Sequence, residues 1–68
     1  MSKYELLWEY IKHTNENILK MSFEEIKNVT GNAIDHSFLS YKKELLAYGF
    51  KVEKISLKEK TVIFTKID

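Results

Sequence analysis

Four apolar residues near the start of the chain recur at helical spacing: Tyr4, Leu7, Trp8 and Ile11. This stripe predicts a first helix over residues 3–13, with its apolar face turned toward a core. Ser2 and Glu5, three residues apart, predict a capping box at the start of that helix. The polar stretch 14–17 breaks the pattern and predicts a loop.

The next apolar run is short and precedes a second helix. Residues 18–21 suit either a brief strand or an extended lead-in, and the pattern leaves both open. Ser22 and Glu25 have the spacing of a capping box, in which each side chain bonds the backbone N–H of the other residue. Gly31 supplies the left-handed residue that often ends a helix. We therefore predict a helix over 23–30.

A third helix is predicted between Asp35 and Gly49. The carboxylate of Asp35 suits an N-terminal cap and the positive end of the helix dipole, and Gly49 is a stop signal. Its core stripe consists of Phe38, Tyr41, Leu45 and Tyr48. Its solvent-facing side carries His36, Ser40, Lys43 and Ala47. Two capped helices joined by a tight turn are typical of a helix-turn-helix.

Beyond the third helix the apolar period changes from about four residues to two, which is typical of strands. The apolar residues of the first strand are Phe50, Val52, Ile55 and Leu57. Their alternation changes phase at residues 53–54, which predicts a bulge or a sharp twist. Residues 58–60 are the predicted turn, and the β-branched stretch 61–67 is the second strand.

This pattern predicts an α+β fold: a small winged helix-turn-helix-like domain with three helices followed by a β-hairpin. The run at 18–21 would add a short third strand if it joins the sheet. Nothing marks a linker in residues 1–68, because the chain has no proline and only two glycines. We expect these residues to form a single domain.

Composition limits where the protein works. Of the 68 residues, 44% are hydrophobic and 31% charged, as in ordinary soluble domains. There is no cysteine, so disulfides and thiolate metal sites are excluded, and a reducing compartment is favoured. No apolar run approaches the roughly 18 residues that a membrane span requires. We expect a cytoplasmic protein without a membrane partner.

The charge is unevenly distributed along the chain. Residues 1–34 contain four lysines and five acids, a net charge of −1, whereas residues 36–66 contain seven lysines and three acids, a net charge of +4. A basic half indicates a surface that attracts phosphates. The chain has no arginine, however, and arginine makes the commonest specific contact with guanine.

Catalytic chemistry has little support in the sequence. The only histidines are His13 and His36, and they lack the spacing of a metal site. Glu24 and Glu25 are adjacent on a helix, so their carboxylates diverge instead of forming an acid–base pair. No glycine-rich phosphate loop is present. We expect no enzymatic activity, no metal and no cofactor.

The third helix and the hairpin supply the candidate functional residues. Ten residues form the candidate nucleic-acid-binding site: Asn32, His36, Ser37, Ser40, Lys42, Lys43, Lys51, Lys54, Lys58 and Lys60. The hydroxyls, amide and lysines suit phosphates and base edges of double-stranded DNA, although Glu44 on the same helix opposes them. The alternative is a protein-interaction module or homodimer, in which the helix face is merely solvated and the lysines prevent edge pairing.

Short motifs along nearly the whole chain resemble one family of small uncharacterised bacterial domains. These motifs are Tyr4-x-x-Leu7, Ser22-Phe23-x-Glu25-Ile26, Gly31, Ser37-Phe38 and the ending from Tyr48 to Phe64. Members share a Phe-x-Glu-Ile box, a glycine, and a closing hairpin with Gly-aromatic-x-Val and Val-x-Phe. The resemblance implies a winged-helix-like fold and brings no established activity. Some members carry paired tryptophans where this chain has His36, Ser37, Phe38 and Tyr41.

Overall fold

The computed structural model describes residues 4–67, which form a small α+β fold of helical segments and one antiparallel sheet. The elements in chain order are α1 (Glu5–Thr14), β1 (Ile18–Ser22), α2 (Phe23–Thr30), α3 (Ser37–Tyr41), a 3-10 helix (Lys42–Tyr48), β2 (Phe50–Ser56) and β3 (Thr61–Lys66). We call α3 and the 3-10 helix together the third helical segment, residues 37–48.

The apolar run after α1 is a strand, so the helices do not all precede the sheet. β1 pairs antiparallel with β3, and the strand order is β1-β3-β2. Leu19 and Met21 of β1 alternate toward the core, opposite Phe64 and Val62 of β3. This inward pair explains why the run extends as a strand instead of serving as a lead-in to α2. The order of three helices and then a hairpin was therefore incomplete.

The pairing of β2 with β3 contains the expected irregularity. The register shifts between Val52 and Lys54, where the apolar phase changes in the sequence. Because the intervening residue is extra, Val52 and Ile55 both pack against the core despite their odd spacing. The turn between β2 and β3 spans residues 57–60 and contains Lys60 at a positive φ of 56°.

Local signals fix the ends of α2. The Ser22 hydroxyl accepts from the Glu25 N–H, and a Glu25 carboxylate oxygen accepts from the Ser22 N–H, both at 3.0 Å. Gly31 ends the helix at a φ of 78°. The predicted capping box and boundaries are confirmed. The box predicted for α1 includes Ser2, which lies outside the described residues, and α1 itself begins at Glu5.

The third helical segment changes its winding part-way. It starts as an α-helix and continues from Lys42 to Tyr48 as a 3-10 helix, which ends at Gly49 with a φ of 85°. Residues three apart eclipse one another in a 3-10 helix, so Lys43 and Leu46 share a face. The predicted α-helical stripe is only partly buried, since Tyr41 is exposed and Tyr48 is half-buried.

The core lies between the helices and the inner face of the sheet. Its buried residues are Tyr4, Leu7, Trp8, Ile11, Met21, Ile26, Phe38, Leu45, Phe50, Val62 and Phe64. Tyr4 packs edge-on against Phe38 with ring centroids 5.3 Å apart, and Trp8 contacts both rings at 5.9 Å. These aromatic contacts hold the third helical segment against α1.

Candidate nucleic-acid interface

The turn between α2 and α3 uses its own polar groups. Thr30 is buried, and its hydroxyl lies 2.8 Å from the carbonyl oxygen of Asn32 and 3.0 Å from that of Ile26. The same hydroxyl accepts from the Asn32 backbone N–H at 2.9 Å. The side-chain amide of Asn32 donates to the Thr30 carbonyl at 3.2 Å. Asn32 of the candidate set therefore uses one of its amide hydrogens to hold the turn.

Asp35 positions the start of α3. One of its carboxylate oxygens accepts from both the backbone N–H and the hydroxyl of Ser37. The N-cap position of α3 is His36, which makes no side-chain cap bond, so Asp35 holds the first turn from one residue before the cap position, whereas the sequence predicts it at that position. The Ser37 hydroxyl is occupied by its hydrogen bond to Asp35. Ser40 on α3 and His36 just before it are exposed, so these two candidate side chains are accessible to solvent.

Three candidate lysines come together where the 3-10 helix meets β2. Lys42, Lys43 and Lys51 line a small groove of about 140 Å³, which we call the lysine groove. Leu46 and Val52 line the same groove and give it an apolar component. Because the three lysines line one groove, their positive charges lie in one region of the surface and can attract the same anionic ligand.

The remaining candidate lysines lie on the hairpin. Lys54 pairs with Ile63 across the outer face of the sheet, while Lys58 and Lys60 lie in the turn. The Lys60 carbonyl accepts from the Phe23 N–H at 2.8 Å, which ties the turn to the start of α2. The structure therefore spreads the ten candidates over four places: the turn before α3, α3 itself, the lysine groove and the hairpin.

Acids reduce the positive charge of the sheet at two points. Lys51 lies 3.6 Å from a Glu53 carboxylate oxygen, and Lys20 lies 3.5 Å from one of Glu59. All four side chains are about half exposed or more, so solvent screens both pairs strongly. Within residues 4–67 the other five lysines of the candidate set form no ion pair: Lys42, Lys43, Lys54, Lys58 and Lys60.

Glu44 does not oppose the lysines in the way the sequence suggests. Its carboxylate accepts from the indole N–H of Trp8 at 3.1 Å, so it is directed at α1. Partial burial raises the pKa of the nearby Tyr48 hydroxyl, and the carboxylates of Glu9, Glu5 and Glu44 raise it further. Acidic side chains thus gather beside α1 and Tyr48.

An apolar groove of about 610 Å³ lies near the candidate site and was not expected from the sequence. It is lined by Phe23, Ile34, Asp35, His36, Leu39, Ile55 and Leu57, and we call it the apolar groove. Leu39 and Leu57 are 52% and 78% exposed. Leu39 lies off the core stripe predicted for the third helix, whereas Leu57 was predicted in the strand and lies in the turn after β2. The groove itself was not predictable, because it forms only when the hairpin packs near α2 and α3.

The described residues include no group of three or more side chains that could hold a metal ion. No helix among them is long and apolar enough to cross a membrane. Comparison of the chain with protein-family models, curated proteins and solved structures found no match. The family resemblance of its short motifs therefore stays a prediction.

Proposed function

We propose that this domain has a winged helix-turn-helix fold and binds double-stranded DNA, in the cytoplasm, through its third helical segment and the β2–β3 hairpin. The order of elements supports this fold, because α2 and α3 follow each other across a short turn and β2 and β3 then form a hairpin. β1 completes the sheet beside β3.

The observation that carries the DNA proposal is the grouping of Lys42, Lys43 and Lys51 around one groove. Lysine attracts phosphate as a point charge, and released counterions supply much of the affinity of such contacts. In the proposed complex the third helical segment enters the major groove. The hairpin lysines Lys54 and Lys58 then follow the phosphate backbone.

The composition indicates how selective this binding would be. Without arginine the chain lacks the side chain that most often reads guanine. The exposed side chains of Ser40 on α3 and of His36 just before it offer hydrogen bonds to base edges. We therefore expect phosphate contacts to dominate, with a strong salt dependence and a modest preference among sequences.

Fluorescence anisotropy with a labelled duplex at several salt concentrations tests the proposal. Lys43→Glu and Lys58→Glu should each weaken binding and flatten the slope of log affinity against log salt, by about 0.9 for each phosphate that is no longer neutralised. Lys12→Glu is the matched control, because it makes the same charge change on the exposed side of α1. Absence of binding at low salt, or equal effects of all three substitutions, would contradict the proposal.

A further inference from the structure

The apolar groove is a preformed feature of the surface. The hydrogen bond from the Phe23 N–H to the Lys60 carbonyl fixes the hairpin beside α2. On the other side, the Asp35 carboxylate accepts from the Ser37 N–H and holds the start of α3. Between these walls Leu39 and Leu57 remain largely exposed. Contiguous exposed apolar surface of this kind marks interaction sites in soluble domains.

The lysine groove continues the same seam. Both grooves are lined on one side by the third helical segment, through Leu39 in the apolar groove and Lys43 and Leu46 in the lysine groove. Both are lined on the other side by β2 and the residues that follow it. The seam therefore offers apolar contacts at one end and positive charge at the other.

From this arrangement we infer that the seam binds a protein segment that carries apolar side chains followed by acidic ones. The volume of the apolar groove lies within the roughly 300–1,000 Å³ typical of ligand sites, so it accepts several apolar side chains. Carboxylates of the same segment would reach Lys42, Lys43 and Lys51. We choose this occupant because its apolar and acidic side chains complement the apolar and the positively charged ends of the seam.

Other occupants match the seam less well. DNA phosphates and sugars gain little from exposed leucines, which neither donate nor accept hydrogen bonds. A lipid surface is flat, whereas the apolar residues here line a concave groove. This inference does not depend on the proposed DNA binding, although a segment bound along the seam would cover the lysines assigned to DNA.

A displayed library of random peptides, selected against the intact domain without DNA, tests the inference. We expect enriched peptides to combine leucine or phenylalanine with aspartate or glutamate. Binding of the synthesised top peptide should fall at least about tenfold with Leu39→Ser and with Leu57→Ser. It should also weaken with Lys43→Glu and with increasing salt. Leu6→Ser is the control, because Leu6 is 63% exposed and lies on α1. This substitution should leave peptide binding unchanged.

Several results would overturn the inference. The first two are a library that shows no enrichment and enriched peptides that lack acidic residues. The third is an equal loss of peptide affinity for Leu6→Ser and Leu39→Ser. The fourth is binding to anionic vesicles that Leu57→Ser abolishes. Self-association that Leu39→Ser removes, seen by sedimentation, would assign the seam to a second copy instead. Peptide binding is measured without DNA, so failure of peptide binding and failure of DNA binding are separate results.

Discussion

The hydrogen bond between Trp8 and Glu44 allows a quantitative test of how the third helical segment is held. The indole N–H of Trp8 donates to a Glu44 carboxylate oxygen at 3.1 Å, and the Trp8 residue is only 1% exposed. Glu44→Ala leaves this donor in a largely buried residue without its acceptor. An unsatisfied buried donor costs about 1–3 kcal/mol, and we expect the free energy of unfolding to fall by that amount.

Such a reduction is large for this chain. A stability of about 0.05–0.15 kcal/mol per residue gives a 68-residue domain about 3–10 kcal/mol in total. Each kcal/mol of destabilisation should lower the Tm by about 4–8 °C in a domain of this size. Alanine is also the best helix former. A destabilised Glu44→Ala protein could therefore not be explained by a lower helix propensity at this position.

Urea unfolding followed by the fluorescence of Trp8 measures the effect, because Trp8 is the only tryptophan. Glu16→Ala is the control: Glu16 is exposed in the loop after α1, and its replacement should change stability by less than about 0.5 kcal/mol. Glu44→Gln keeps an acceptor oxygen and should be less destabilising than Glu44→Ala. Equal midpoints for the Glu44→Ala and Glu16→Ala proteins would refute the assigned role of the bond.

Two further substitutions test the ends of the helices. Gly49→Val should destabilise the fold by at least about 1 kcal/mol in thermal unfolding, because the position has a φ of 85°. Gly49→Asn should be less destabilising, since asparagine tolerates the left-handed conformation and no atom lies within 4 Å of an added Cβ. An unchanged midpoint for the valine variant would argue against the strain. Ser22→Ala should lower the free energy of unfolding by about 1 kcal/mol through loss of the α2 cap. In the wild type, hydrogen exchange should show the amides of residues 23–30 protected, and unprotected amides there would contradict the helix.

The sequence was sufficient where the structural cause is local. Ser22 and Glu25 cap α2 because their spacing alone brings the two groups together. Gly31 ends the helix because its φ is positive. The bulge between Val52 and Lys54 was also visible, since the apolar alternation must change phase where a residue is inserted. Signals of this kind do not depend on distant parts of the chain.

Features that depend on distant residues could not be derived in the same way. The direction of Glu44 depends on Trp8, 36 residues earlier in the chain. The lysine groove exists because the 3-10 helix packs against β2 and places Lys51 beside Lys43. The sequence predicts Asp35 as the N-cap of the third helix, whereas in the structure its carboxylate binds the Ser37 N–H and hydroxyl from one residue before the cap position. An aspartate two residues before a serine at a helix start was the available signal for that bond.

The strand order has a consequence for how this chain folds during synthesis. Of the three strands of this sheet, β3 is the last to leave the ribosome, yet it lies between the other two and pairs with both. β1 and β2 therefore emerge without a hydrogen-bonded neighbour. β1 stays unpaired while about 40 further residues are synthesised. Val62 and Phe64, buried on β3, complete the core at that late moment. Until then the nascent chain exposes the apolar inner faces of both outer strands, which makes this interval its period of greatest risk for aggregation.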